Sequence, residues 1–115
     1  MKLKPTFIEA REVYDFKRGV FLFKSENMTL LAESHDTHYM SGQKPDMPKN
    51  MFLFRSKSGN FWLQEDFYND YAGESLYETE LDILSIDEAM DIFCKCHIAH
   101  TKFLDIFPDV EVKEA

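Results

Sequence analysis

A five-residue phrase occurs twice in this chain and does most to limit what it can fold into. Phe21-Leu22-Phe23-Lys24-Ser25 returns 31 positions later as Phe52-Leu53-Phe54-Arg55-Ser56. Each copy leads into a polar turn and a second apolar run: Glu26-Asn27 before Met28-Thr29-Leu30-Leu31-Ala32, and Lys57-Ser58-Gly59-Asn60 before Phe61-Trp62-Leu63. Aromatic-rich runs of this length around an Asn, Gly or Ser turn are the pattern of β-hairpins. The sequence therefore predicts two similar hairpins, over 19–33 and 51–65, sharing one sheet. Alternation along each strand turns Leu22 and Leu53 to the side opposite their Phe neighbours. A further strand is expected over 79–84, with Leu81 and Ile83 on one face. Residues 7–16 read as a strand in preference to a short helix, and 34–50, with Gly42, Pro45 and Pro48, as the longest loop.

The second strong signal is a helix start. Ser85-Ile86-Asp87-Glu88 has the spacing of a capping box, in which hydroxyl and carboxylate each satisfy a backbone N–H of the first turn. Ile86, Ala89, Met90, Phe93, Cys96, His97, His100, Phe103, Leu104 and Phe107 follow at spacings of three and four. This stripe predicts one helix over 86–106, ended by Pro108, with 108–115 as a frayed tail. The fold class expected is α+β: an antiparallel sheet of about five strands built from two hairpins, with a long C-terminal amphipathic helix packed across one face. Phe21, Phe23, Phe52, Phe54, Trp62, Phe93 and Phe103 are the expected core. At 115 residues the chain is sized for a single globular domain over 1–115.

The same residues exclude several functions. The four glycines, Gly19, Gly42, Gly59 and Gly73, lie too far apart for a dinucleotide fingerprint, a phosphate-binding loop or a nucleophile elbow. The longest apolar runs are four residues, far short of a membrane span, and no apolar segment of signal-peptide type follows Lys2 and Lys4. Cys94 and Cys96 are the only cysteines, and two unpaired thiols point to a reducing, cytoplasmic setting.

Charge is distributed unevenly. Residues 1–60 carry ten basic and seven acidic side chains, whereas 61–115 carry three basic and fourteen acidic ones. Nucleic acid and membrane are not expected partners of so acidic a chain. The stretch 66–80 interleaves carboxylates with tyrosines: Asp66, Tyr68, Asp70, Tyr71, Glu74, Tyr77 and Glu78. It forms the candidate contact surface of a small cytoplasmic, non-enzymatic interaction, regulatory or inhibitory module with a basic protein as partner. Homodimerisation is a further expectation, through sheet surface left uncovered. No catalytic residue and no cofactor is assigned. Two alternatives remain open: a site for zinc or another transition metal using Cys96, His97 and His100, and a Phe-lined small-ligand pocket between helix and sheet.

Overall fold

A computed structural model of the chain describes residues 4–38, 48–69 and 75–114. The elements in order are β1 (Arg11–Asp15), β2 (Gly19–Phe23), a single 3-10 turn (Ser25–Asn27), β3 (Met28–His38), β4 (Pro48–Ser56), β5 (Phe61–Asn69), β6 (Ser75–Leu84), α1 (Ile86–Lys95), β7 (Ile98–Ala99) and α2 (Phe103–Ile106). The main sheet is five-stranded and antiparallel in the order β6-β5-β4-β3-β7, and β1 and β2 form a separate two-stranded sheet.

The main sheet is covered on both sides, so its central strands carry apolar residues without a solvent face. Phe52, Phe54, Trp62, Leu81 and Ile83 point towards the β1–β2 sheet and pack with Ile8 and Phe23. Leu53 and Phe61 point the other way, into a second core with Leu31, Ala32, Ala89, Ile106 and Phe107. Burial of each such side chain stabilises the fold by about 1.5–3 kcal/mol, so both layers contribute substantially. Trp62 stands edge-on to Phe21 and Phe23, with centroids 6.3 and 5.2 Å away, which ties the small sheet to the large one.

The repeated phrase does not give equivalent hairpins. Its second copy is the central strand β4, which turns at Ser56–Asn60 into β5 with Gly59 at φ 93°. Its first copy is β2, whose partner is β1, through a turn from Asp15 to Gly19. Residues 24–27 are therefore a crossing from one layer to the other. Ser25 fixes that crossing, its N–H donating to the Ile8 carbonyl at 2.9 Å and its hydroxyl accepting from the Ile8 N–H at 2.8 Å. The loop expected over 34–50 is also shorter, because β3 runs to His38 and β4 starts at Pro48.

The long C-terminal helix is absent, and the α+β expectation is corrected on this point. The helix begins as expected, with both bonds of the Ser85–Glu88 capping box formed, but ends at Lys95; Cys96 is extended, at φ −72° and ψ 142°. The chain then supplies β7 to the open edge of β3, pairing Ile98 with Glu33 and Ala99 with Ala32. The His97 N–H donates to the Ser34 hydroxyl and the His100 N–H to the Leu31 carbonyl, both at 2.9 Å. A helix over 86–106 would leave those edge groups unpaired, at roughly 1–3 kcal/mol for each one buried. Folding back also returns Phe103 and Phe107 to the core of α1: they lie 5.8 and 6.3 Å from Phe93, and Phe107 stacks on Phe61 at 5.4 Å. The i, i+3, i+4 spacing thus reflects a core shared by Ala89, Met90, Phe93, Cys96, Phe103 and Phe107 of the two short helices and their connection, whereas Ile86, His97, His100 and Leu104 of the same stripe stay exposed.

The outer edge of β6 is closed by the small sheet. Arg11 and Arg18 place guanidinium N–H groups on the carbonyls of Thr79 and Ile83, at 2.9 and 3.3 Å. Those carbonyls would otherwise present an open strand edge.

Candidate functional site

Opposite residues across an antiparallel ladder share a face, so the strand register sorts every polar side chain of the main sheet onto one of its two sides. On the side of α1, Lys49 and Met51 of β4 stand beside Leu63 and Glu65 of β5, with Glu78, Glu80 and Asp82 of β6 next to them. The helix covers only part of this surface. Between its Glu88, Asp91, Ile92 and Lys95 and the strands lies a groove of about 520 Å³. Met51, Leu63, Leu84 and Ile92 form its apolar floor, while Glu65, Asp82, Glu88 and Asp91 set an acidic rim with Lys49, Lys95 and His97.

Most of the rim charge is already matched. Lys49, nearly inaccessible, pairs with Glu65 and lies 5.9 Å from the centre of the Phe67 ring. Lys95 bridges Asp91 at 2.8 Å, and Arg18 reaches Glu88 at 3.1 Å. Asp82 makes no ion pair among the described residues. Its carboxyl is held above the usual carboxylate range, by partial removal from water and then by the charges of Glu65, Glu80, Glu88 and Asp15. The opposite holds at Glu88, where bonds from the Ser85 N–H and hydroxyl, with Arg18 nearby, keep the carboxyl low. Neighbouring carboxylates thus differ in kind: Glu88 is satisfied within the fold, and Asp82 is left wanting a positive partner.

The acidic, Tyr-rich stretch of the sequence divides differently from expectation. Asp66 and Tyr68 are interior residues on the other side of the sheet. Asp66 accepts from the Thr6 N–H at 2.8 Å, the Thr79 hydroxyl at 2.9 Å and the Gln64 amide at 3.1 Å, which pins the N-terminal segment against β5 and β6. The Tyr68 phenol is pushed up by burial and by Asp66. These two residues hold the fold and offer no contact surface. Glu78 is half-buried on the α1 side. Tyr77 belongs to β6 by its backbone, while Asp70, Tyr71 and Glu74 lie outside the described residues. Alternation over 78–82, with Leu81 and Ile83 inward, was the available signal that Glu80 and Asp82 share the face of Glu78.

Cys96, His97 and His100 do not face a common centre. Cys96 packs into the α1-side core, bonded to Ser34, and burial pushes its thiol up to about 11, with Glu33 adding to the rise. His97 lines the groove on that same side. His100 stands on the opposite side, where Glu33, buried in β3, takes the Nε2 of His100 on one oxygen and the Nε2 of His35 on the other. In this His–Glu–His cluster the Nε2 of each ring is spent on the carboxylate, while the His35 Nδ1 is buried without a hydrogen-bond partner among the described residues, and the His35 ring stands edge-on to Phe52 at 5.7 Å. Among the described residues no group of three or more His, Cys, Asp and Glu side chains is arranged to hold a metal ion. Nor is any helix among them long and apolar enough to cross a membrane. Comparison with known proteins gives no match to any family model, any curated protein or any solved structure.

Proposed function

We propose that this protein is a non-enzymatic interaction module that takes a basic, partly apolar segment of a partner protein along the groove between α1 and strands β4–β6. The observation that carries this reading is Asp82, a carboxylate crowded by like charges and without an ion pair among the described residues, above a floor of Met51, Leu63, Leu84 and Ile92. A lysine or arginine side chain suits such a place, its stem on the floor and its charge at Asp82. Glu78 and Glu80, on the same face of β6, extend the field in which a basic segment is steered. The free thiols of Cys94 and Cys96 favour a cytoplasmic setting for this encounter.

The test uses a fluorescein-labelled decapeptide of alternating Lys and Leu, with its Glu and Leu counterpart as control, read by fluorescence anisotropy. Binding of the basic peptide alone is expected, weakening about tenfold for Asp82→Lys and falling as salt rises from roughly 50 to 300 mM. Equal affinity in the wild type and Asp82→Lys would remove the groove as the site.

A further inference from the structure

The small sheet carries a second, independent feature. Among the described residues, strand β2 has β1 on one side and no strand on the other. With Asp15 opposite Gly19 and Val13 opposite Phe21, the ladder directs the backbone groups of residues 19, 21 and 23 at β1 and those of Val20 and Leu22 away from it. Val20 and Leu22 make no hydrogen bond on that outer edge among the described residues, and the two residues are 57 and 53% exposed. A groove of about 370 Å³ runs along the edge. Phe21, Met28 and Trp62 form its apolar side, and Asn27, Ser56, Lys57, Ser58 and Asn60 its polar wall. An unpaired strand edge beside an apolar trough is a receptor for an extended segment, which gains backbone bonds from the edge and places alternate side chains in the trough.

The chain itself contains a segment of that form. Asp109-Val110-Glu111-Val112-Lys113-Glu114 alternates apolar and charged residues with the period of a strand, yet residues 111–114 have no secondary structure and are exposed, Val112 at 74%. Its three acids against one lysine oppose Lys57 of the groove wall and Lys24 at the end of β2. The segment leaves the fold beside Arg55 and Phe61, next to the Ser56–Asn60 turn that walls the groove, but on the α1 side of the sheet. Within one chain, among the described residues, the β2 edge and residues 111–114 both stay unpaired, separated by that turn.

We infer that residues 109–114 of a second copy add as a strand to β2, Val110 and Val112 entering the trough of Phe21, Met28 and Trp62, so that two chains exchange segments about a twofold axis. The experiment is sedimentation velocity on the full chain from 2 to 200 µM, with amide hydrogen exchange at Val20 and Leu22. A dimer is expected, its formation slowing exchange of both amides at least tenfold as concentration rises. Val112→Pro removes a donor at a position that is 74% exposed and outside any secondary structure of its own chain; it leaves the fold intact and returns the protein to monomer with fast exchange at both positions. A monomer throughout the range, a dimer unaffected by Val112→Pro, or protection at Val20 and Leu22 that depends on Val112 but not on concentration would each overturn the inference, the last by showing that the segment folds onto its own chain.

Discussion

Asp66 and Asp82 lie sixteen residues apart in one acidic stretch and do opposite things. Asp66 is wholly buried and answers three donors, so Asp66→Ala leaves the Thr6 N–H, the Thr79 hydroxyl and the Gln64 amide each short of an acceptor. A loss of about 3 kcal/mol is expected, measured as the urea midpoint shift at constant slope. Asp82 has a raised carboxyl, which means that its ionised form is disfavoured in the folded state. It therefore costs stability at neutral pH, and the cost disappears as pH falls below the unfolded carboxylate range, where both states are protonated. Asp82→Asn should raise the unfolding free energy at pH 7 by about 0.5 kcal/mol, on the scale of exposed charge pairs, read from the urea midpoint at constant slope, and leave it unchanged near pH 3. Cys96 offers a third check. With its thiol at about 11, only about one molecule in a thousand is thiolate at pH 8, so iodoacetamide should modify exposed Cys94 and spare Cys96 until urea unfolds the chain. The sequence cannot separate Asp66 from Asp82 by residue type. Only the side of the sheet on which each falls separates them, and that follows from the register.

At the scale of elements, local signals were legible and long-range ones were not. The helix start at Ser85–Glu88 lies entirely within four residues, and both of its bonds form, at 3.1 and 2.8 Å. Ser85→Ala should cost about 1 kcal/mol, checked by thermal unfolding. It also removes the hydroxyl's share of what holds the Glu88 carboxyl low, while the bond from the residue 85 N–H remains; that share is present above the unfolded carboxylate range and lost as pH falls through the folded one, so the difference between wild type and variant should narrow in acid. The helix end could not be read in the same way. It is set by the open edge of β3, some sixty residues upstream, which takes Ile98 and Ala99 as a strand. The apolar spacing from Ile86 to Phe107 is compatible with a straight helix and with a helix folded back by a two-residue strand, and the unpaired edge groups decide between them. The repeated Phe-Leu-Phe phrase misleads for a related reason. It reports strand character in both copies, but the partner of each strand comes from elsewhere in the chain.

Across the whole molecule, the five-stranded sheet separates two apolar cores and two kinds of surface. The Arg11 and Arg18 bonds from the small sheet close the β6 edge, and the acidic second half of the chain supplies the row Glu78, Glu80 and Asp82 with the first turn of α1. The charge asymmetry was visible in the sequence, but its concentration around one groove depends on the pairing of β5 with β6 and on α1 packing over only part of their face. The groove's proposed role as contact surface is tested by a 1H–15N correlation titration of the full chain with the Lys-Leu decapeptide. The predicted result is a set of shift changes centred on Leu63, Asp82, Leu84 and Ile92, lost in Asp82→Lys, with Asp66 and Tyr68 unmoved. Shifts spread evenly over the acidic surface, or confined to the opposite side of the sheet, would contradict it.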